Sequence, residues 1–173
     1  MLFEGEFLND KIWNCKGKFL YNGNVEFEGE YLKGKKWNGK GYDKNGNVIY
    51  EIKDGAGKIK EYSLFLKFEG EYLNGEKNGK GKEFSYSGHL LFEGEFLNGV
   101  RNGKGKEFSH YGELNFEGEY LNGERYGYGK EYNYKGEVIY EGIYPKENEK
   151  GKGKGKKDYL FEPFDYNFAF DYE

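Results

Sequence analysis

Apolar and polar positions alternate with a period of two through most of the chain. In one representative segment Leu90, Phe92, Gly94 and Phe96 fall on alternate positions, and glutamates occupy two of the positions between them. A period of two places successive side chains on opposite faces of a β-strand. Asn-Gly pairs or single glycines follow these segments at short intervals, which favours β-hairpins. The pattern therefore predicts an all-β protein in which each short strand pairs with the next.

The strand pattern recurs every 24 residues. The motif Phe-Glu-Gly-Glu-Phe/Tyr has five strong copies and a weaker sixth, YEGIY, and a Gly-x-Gly pair follows in register. Near Tyr50 the unit is six residues shorter, and we expect the missing residues to come from the hairpin turn around residues 53–55. A fixed period of this length is typical of repeat architectures. We therefore predict an elongated single-layer antiparallel meander of about seven stacked hairpin repeats, which start near residues 3, 27, 50, 68, 92, 116 and 140.

Two segments follow from this period. Residues 1–157 form the repeat array, because the Gly-Lys-Gly stretch at 151–153 repeats the glycine pair of the preceding unit. Residues 158–173 are rich in aromatic and acidic residues and alternate strictly from residue 164 onward, as in a strand with one buried face. This C-terminal segment has three interpretations: a cap on the last repeat, a strand that docks on a partner or a second copy, or disorder.

Composition and charge narrow the class of partner. Aromatic residues make up 20% of the chain, which is enough to hold a thin sheet together. The net charge is −4, and lysines and glutamates are interleaved, so the chain has no basic tract for nucleic acid. Columns of glutamates such as Glu93 and Glu117 are expected to alternate with lysines such as Lys106 on a solvated face.

Location is inferred from the segments that the sequence lacks. No apolar run reaches membrane-spanning length, and residues 1–7 enter the first repeat at once instead of forming a signal peptide. The single cysteine, Cys15, stands where other repeats have glycine and excludes an internal disulfide. We expect a cytoplasmic protein, with a place at the periphery of a membrane or the cytoskeleton as a further option.

The order of residues within one unit resembles a known family. The sequence aromatic-Glu-Gly-Glu-aromatic, a polar stretch ending in Asn-Gly, and then Gly-x-Gly is similar to the MORN (membrane occupation and recognition nexus) repeat over residues 2–157. The resemblance implies an antiparallel sheet twisted into a groove, and an interaction scaffold that binds peptides, helices or phosphoinositide membranes, or self-associates. The chain departs from the family pattern in two ways. Phe or Tyr replaces the usual Trp, and Asn mostly replaces the basic residue before Gly-x-Gly, which weakens the case for lipid.

Residues for catalysis or metal binding are not visible in the sequence. His89 and His110 both fall in connections between repeats, and two histidines without a third ligand are a weak metal signal. Asp43, Asn45 and Asn47 look like the start of a calcium loop, but the required downstream Glu spacing is missing, and a type I′ Asn-Gly turn explains them. We therefore predict no enzymatic activity, no cofactor and no metal.

The function that these observations favour is a scaffold that holds a protein partner, a peptide or a helix, along an aromatic groove. Buried aromatic anchors would supply most of the binding energy. The alternatives are a peripheral phospholipid-binding protein, an inhibitor or antitoxin-like partner of an enzyme, and a homodimer formed through the C-terminal segment. The predicted partner-binding residues are Tyr72, Phe96, Tyr120, Tyr144, Phe164, Tyr166, Phe168 and Phe170.

Overall fold

The computed structural model describes residues 2–8, 11–21, 23–62 and 66–145, and every regular element within them is a β-strand. This confirms the predicted all-β class. The strands are β1 (Leu2–Leu8), β2 (Lys11–Tyr21), β3 (Asn24–Leu32), β4 (Lys35–Tyr42), β5 (Val48–Ile52), β6 (Gly57–Tyr62), β7 (Leu66–Leu73), β8 (Glu76–Phe84), β9 (Leu90–Leu97), β10 (Val100–Phe108), β11 (Leu114–Leu121), β12 (Glu124–Tyr132) and β13 (Val138–Tyr144).

The strands form an antiparallel meander that is divided into two sheets. Strands β1–β5 form a five-stranded sheet and β6–β13 an eight-stranded sheet, and within each sheet neighbours in sequence are neighbours in space. The predicted meander of hairpins is confirmed, with a break between β5 and β6, which are linked by an isolated bridge between Lys53 and Ala56. The core continues across the break, because Ile52 of β5 and Ile59 of β6 belong to one buried cluster.

The break lies in the short third repeat. By register, Ile52 and Gly57 take the positions of Gly94 and Gly103, but five positions separate them instead of nine. The hairpin therefore lacks four residues and the connection to β7 lacks two, so the expectation that all six are missing from the turn is wrong. Strands β5 and β6 are five and six residues long. They end before a full ladder can form between them.

Hairpin tips and connections between repeats use different turns. At the tips both central residues have positive φ, for example 54° at Asn74 and 74° at Gly75. This is the type I′ geometry, whose twist matches that of the paired strands. Asn and Gly tolerate this backbone conformation best, which explains the Asn-Gly pairs in the sequence.

The connections use a turn with a single glycine in the left-handed region. In residues 43–47 the Gly46 N–H donates to the Asp43 carbonyl, and Gly46 has a φ of 82°. Asn45 is not among the described residues with positive φ, so the predicted type I′ turn is wrong here. The Asp43 carboxylate accepts the N–H groups of Asn45 and Asn47 and so reinforces the backbone hydrogen bonds of the turn.

A single-layer sheet obtains its core here by laying rings on its own backbone. Phe27, Phe68, Phe92 and Phe116 are almost completely buried. A Cβ added at Gly94 would lie 2.6 Å from the Gly105 Cα and 2.7 Å from the Phe92 ring. Glycine therefore lets the ring and two strands approach closely. Cys15 is buried and pairs with Gly5, which confirms it as a small residue at a glycine position.

These rings form a continuous aromatic ladder in the eight-stranded sheet. Phe92 packs edge-on against Phe96 of its own strand at 5.3 Å between ring centroids, and against Tyr120 of the next repeat at 5.1 Å. The same alternation of contacts runs from β7 to β13. Edge-to-face contacts of this kind add to the energy of burial. The members of the aromatic ladder are Phe68, Tyr72, Phe92, Phe96, Phe116, Tyr120, Tyr140 and Tyr144.

Candidate functional site

Four of the predicted partner-binding aromatics belong to the aromatic ladder. Phe96 and Tyr120 are each 3% exposed, and Tyr72 and Tyr144 are partly buried against the same cluster. Their structural role is to join neighbouring repeats, and contact with a partner stays a prediction for them. The other four, Phe164, Tyr166, Phe168 and Phe170, lie outside the described residues.

A row of cations covers the aromatic ladder. The charged group of Lys77 lies 4.3 Å from the centroid of the Phe68 ring, and that of Arg101 lies 4.2 Å from the Phe92 ring. Arg125 repeats this contact on the next buried phenylalanine. Each cation stands nine residues after its ring. A cation over a ring face is attracted by the electrons of the ring, so the row stabilises the core that it covers.

Shared glutamates connect the cations into an ion chain, defined as Lys77, Glu83, Arg101, Glu107, Arg125 and Glu131. Arg101 binds Glu83 and Glu107, each at 2.9 Å. Arg125 binds Glu107 and, at 2.7 Å, Glu131. These side chains are about one quarter to one third exposed, so water screens them less than an ordinary surface pair. The ion chain links consecutive repeats on the face that carries the aromatic ladder.

The carboxylates of the ion chain make the free energy of unfolding depend on pH in the acidic range. Burial works against the charged form of Glu83, but the hydrogen bonds and charges of Lys77 and Arg101 outweigh it and hold its pKa below the usual value of a glutamate. A carboxyl with a lowered pKa in the folded state contributes stability above its unfolded-state pKa and loses that contribution as the pH falls through the folded-state value.

We therefore expect the free energy of unfolding to decrease below about pH 4.5, and Glu83→Gln to remove part of that decrease. Urea denaturation at pH 7 and at pH 3 measures it. Glu93→Gln is the matched control, because Glu93 pairs with Lys82 at an exposed site, where ion pairs contribute little. Identical pH dependence in the wild type and Glu83→Gln would show that the ion chain does not set the acid limit.

At the junction of the two sheets, the cation that covers the buried phenylalanine also donates a hydrogen bond to a tyrosine. Lys36 lies over Phe27 and donates to the Tyr50 hydroxyl at 3.0 Å. Burial lowers the pKa of Lys36, although the charges of Glu61 and Glu26 oppose this. Glu26 belongs to the five-stranded sheet and Glu61 to the eight-stranded sheet, so carboxylates of both sheets attract the Lys36 charge.

A groove lies on the face of the eight-stranded sheet opposite the aromatic ladder. Two neighbouring cavities of about 790 and 690 Å³ share Glu93 and Lys104 as lining residues. Their other walls are chiefly lysines, glutamates and glycines, with Ile49 at one end and tyrosines at the other. The sequence predicts a groove lined by aromatics, whereas these two cavities are lined chiefly by charged side chains and glycines.

Most of these charges are already satisfied within the groove. Lys82 pairs with Glu93 at 3.1 Å and Lys106 with Glu117 at 3.5 Å, which confirms the predicted alternation of charge. A second row, made of Lys80 and Lys104 with the glutamates opposite them, runs parallel to the first. Glu95 is held there because it accepts the Lys104 N–H at 3.0 Å. The groove therefore offers a regular, nearly neutral surface.

The regular pattern ends at the C-terminal side of the groove. Tyr128 stands where the preceding repeat has Lys104, and Ile143 stands where it has Glu119. The two face each other in register across β12 and β13, with exposures of 47% and 66%. We call this pair the apolar end. Sequence reasoning missed it, although the copies YGYG and YEGIY already show the change.

His89, a candidate metal ligand, forms hydrogen bonds within a turn. His89 Nδ1 lies 3.2 Å from Ser87 Oγ, and the His89 N–H donates to Ser85 Oγ, in a turn exposed to solvent. Across the part of the chain that the structure describes, no group of three His, Cys, Asp or Glu side chains is placed to hold a metal. The same part contains no helix that is long and apolar enough to cross a membrane.

Comparison with family models matches the MORN repeat at residues 68–90, 92–109 and 116–138. These three consecutive segments cover the hairpins β7–β12, where the glycine pairs, the aromatic ladder and the ion chain are most regular. The copies near residues 3, 27, 50 and 140 lie outside the matched segments. A search of curated proteins finds no match. The MORN repeat is a non-catalytic repeat that is generally linked to the binding of proteins and membrane lipids.

Proposed function

This chain is a MORN repeat protein, and on that premise we propose that it is a non-enzymatic scaffold that holds a protein partner along the groove of its eight-stranded sheet. The partner is a peptide or a helix. The scaffold acts in the cytoplasm, at the periphery of a membrane or the cytoskeleton where its partner resides.

The observation that carries this proposal is the apolar end. Tyr128 and Ile143 expose large side chains at a position where other repeats place a Lys-Glu pair. Exposed aromatic and aliphatic groups beside a groove are typical anchors of protein interfaces, and a few such anchors supply most of the binding energy. The paired charges along the rest of the groove then select the register of the partner.

The charge distribution favours a protein over a lipid surface. Binding to anionic headgroups needs unpaired basic residues on one face. In the groove Lys82, Lys106 and Lys130 each pair with a glutamate of the neighbouring strand. On the other face Arg101 and Arg125 are each shared between two carboxylates. Both faces therefore present mixed charge.

The test converts the apolar end into an ordinary repeat. The double variant Y128K/I143E restores the Lys-Glu pair of the other repeats, so we expect it to fold. Quantitative affinity capture from the native host, read by mass spectrometry, compares it with the wild type. We expect one stoichiometric protein to be retained by the wild type and depleted at least about tenfold by the variant, which corresponds to the loss of about 1.4 kcal/mol.

The control removes an exposed aromatic outside the groove. Tyr111 is 88% exposed and lines neither cavity, so Tyr111→Lys keeps both anchors and the groove charges and should retain the partner. Equal recovery of the same protein by the wild type and Y128K/I143E would refute the role of the apolar end. Flotation with phosphoinositide vesicles in place of a captured protein would favour the membrane alternative over a protein scaffold.

A further inference from the structure

Three neighbours at fixed distances along the chain cover each buried phenylalanine of the aromatic ladder. A Cβ added at Gly94, two residues after Phe92, would lie 2.7 Å from its ring. One added at Gly105, thirteen residues after Phe92, would lie 2.5 Å from the ring. The ring of Tyr120, twenty-eight residues after Phe92, packs edge-on at 5.1 Å. The buried phenylalanines of the repeats before and after have the same neighbours at the same offsets.

The equivalent ring in β13, that of Tyr140, is less well covered. Its first neighbour is present, because a Cβ at Gly142 would lie 2.7 Å from the Tyr140 hydroxyl. Yet Tyr140 remains partly exposed, whereas Phe92 is 0% exposed. Within residues 2–145 as described, β13 pairs with β12 on one side and with no strand on the other. Val138 at this edge is also exposed. Among the described residues, the aromatic ladder therefore ends at β13.

The chain itself supplies the two neighbours that Tyr140 needs. Gly153 stands thirteen residues after Tyr140 and Phe168 stands twenty-eight residues after it. Both lie outside the described residues. We propose that the segment 151–168 covers the open edge of β13, with Gly153 beneath the Tyr140 ring and Phe168 as the next member of the aromatic ladder. The C-terminal segment is in this arrangement a cover for its own array.

Charges repeat at the same register and support the chain's own segment as the occupant. In one row of the groove, Lys82, Lys106 and Lys130 each pair with the glutamate eleven residues later, Lys130 with Glu141 at 3.2 Å. Lys154 and Asp165 are also eleven residues apart, and each stands 24 residues after its counterpart in that pair. The aromatic, glycine and charge offsets therefore agree on one alignment of the segment.

Two departures define how this last unit differs. Tyr166 stands where regular repeats have the first glycine, and a side chain there must be accommodated. The third repeat shows how: Ile52 occupies this position and is buried, and the Tyr50 ring lies instead over Gly41 of the preceding strand. Glu149 stands at the cation position, nine residues after Tyr140. The sequence therefore offers this member no cation at the offset that the regular repeats use.

Amide hydrogen exchange on the full chain tests the proposal, read over Val138–Tyr144. We expect these amides to be protected in the wild type. Phe168→Ala should accelerate their exchange at least about tenfold, because removal of a buried ring costs several times the energy that corresponds to that factor. The matched control is Phe170→Ala, which removes the same side chain two residues later but at no ladder offset, and which should leave β13 protected. Amides of β9–β11 report that the array stays folded.

The outcomes separate the occupants. Equal exchange of β13 in the wild type, Phe168→Ala and Phe170→Ala would overturn the proposal. Equal acceleration in both variants would also overturn the proposal. The segment would then cover β13 through unspecific apolar contacts, and Phe168 would not be a member of the aromatic ladder. Light scattering on the same samples identifies a second copy as the occupant if the full chain is a dimer that Phe168→Ala dissociates. None of these measurements involves the proposed protein partner, so this inference and the proposed function can fail independently.

Discussion

Replacement of Phe92 by alanine is expected to lower the free energy of unfolding by about 3–5 kcal/mol. The ring is completely buried, lies on the backbone of Gly94 and Gly105, and contacts Phe96 and Tyr120 on either side. Alanine removes all of these contacts and leaves a cavity that the glycines cannot fill. Urea denaturation followed by circular dichroism at pH 7 measures the loss.

The matched control for this prediction is Tyr111→Ala. Tyr111 is also aromatic but is 88% exposed in a connection between repeats, and surface substitutions of this kind usually change stability by less than about 0.5 kcal/mol. A loss for Phe92→Ala that is no larger than the loss for the control would mean that the aromatic ladder does not hold the sheet together.

The substitution Gly94→Ala adds a methyl group where the backbone has no space, and we expect a loss of about 1–3 kcal/mol. The new Cβ would lie 2.6 Å from both the Gly105 Cα and the Lys104 carbonyl oxygen. Because these atoms belong to backbone, no side-chain rotation relieves the contact, and β9 and β10 must separate. Amides of both strands should then exchange faster than those of β7.

Glu93→Ala serves as the control, since Glu93 neighbours Gly94 in sequence but lies on the exposed face in an ion pair. Its loss should be small, because exposed ion pairs contribute about 0–1 kcal/mol. Unchanged stability and unchanged exchange in Gly94→Ala would contradict the view that glycine is needed for close approach of strand to strand.

Much of the fold follows from the sequence because the repeat encodes it many times. The alternation around Phe92 defines a strand, the Asn-Gly pairs define type I′ tips, and the 24-residue period defines the order of strands. The ion pairs of Glu93 and Glu117 with lysines also follow, since positions on one face of neighbouring strands must meet.

The lining of the cavities, the break between the sheets and the cation row depend on three-dimensional geometry that the sequence period does not specify. Alternation assigns residues to two faces, but it does not show that charged side chains line the two cavities on the face opposite the aromatic ladder. The break after β5 depends on how six missing residues are divided between turn and connection. The cation nine residues after each ring acts across a hairpin tip, beyond the reach of a strand pattern.

The candidate site could be predicted in principle from the positions at which the repeats differ, and not from the residues that they share. Tyr128 and Ile143 replace a lysine and a glutamate at equivalent positions. YEGIY is recognisable as a weaker copy of the motif, but this alone does not show that the altered residue lies beside a second apolar side chain. Only the pairing of the two side chains across β12 and β13 shows that both exceptions fall on the same spot.

The contacts within the aromatic ladder reach no further than twenty-eight residues along the chain, and this has a consequence for how such a protein can change its length. If residues 92–115 were removed, Phe68 would meet Tyr120 at the offset at which it now meets Phe96, and Arg125 would follow Lys77 in the ion chain. Whole units can thus be gained or lost by duplication or deletion without the invention of a new contact. Such an event would shift the apolar end by two strand widths, about 10 Å, relative to the start of the array. The distance between the apolar end and the start of the array is therefore a property that evolution can adjust in discrete steps.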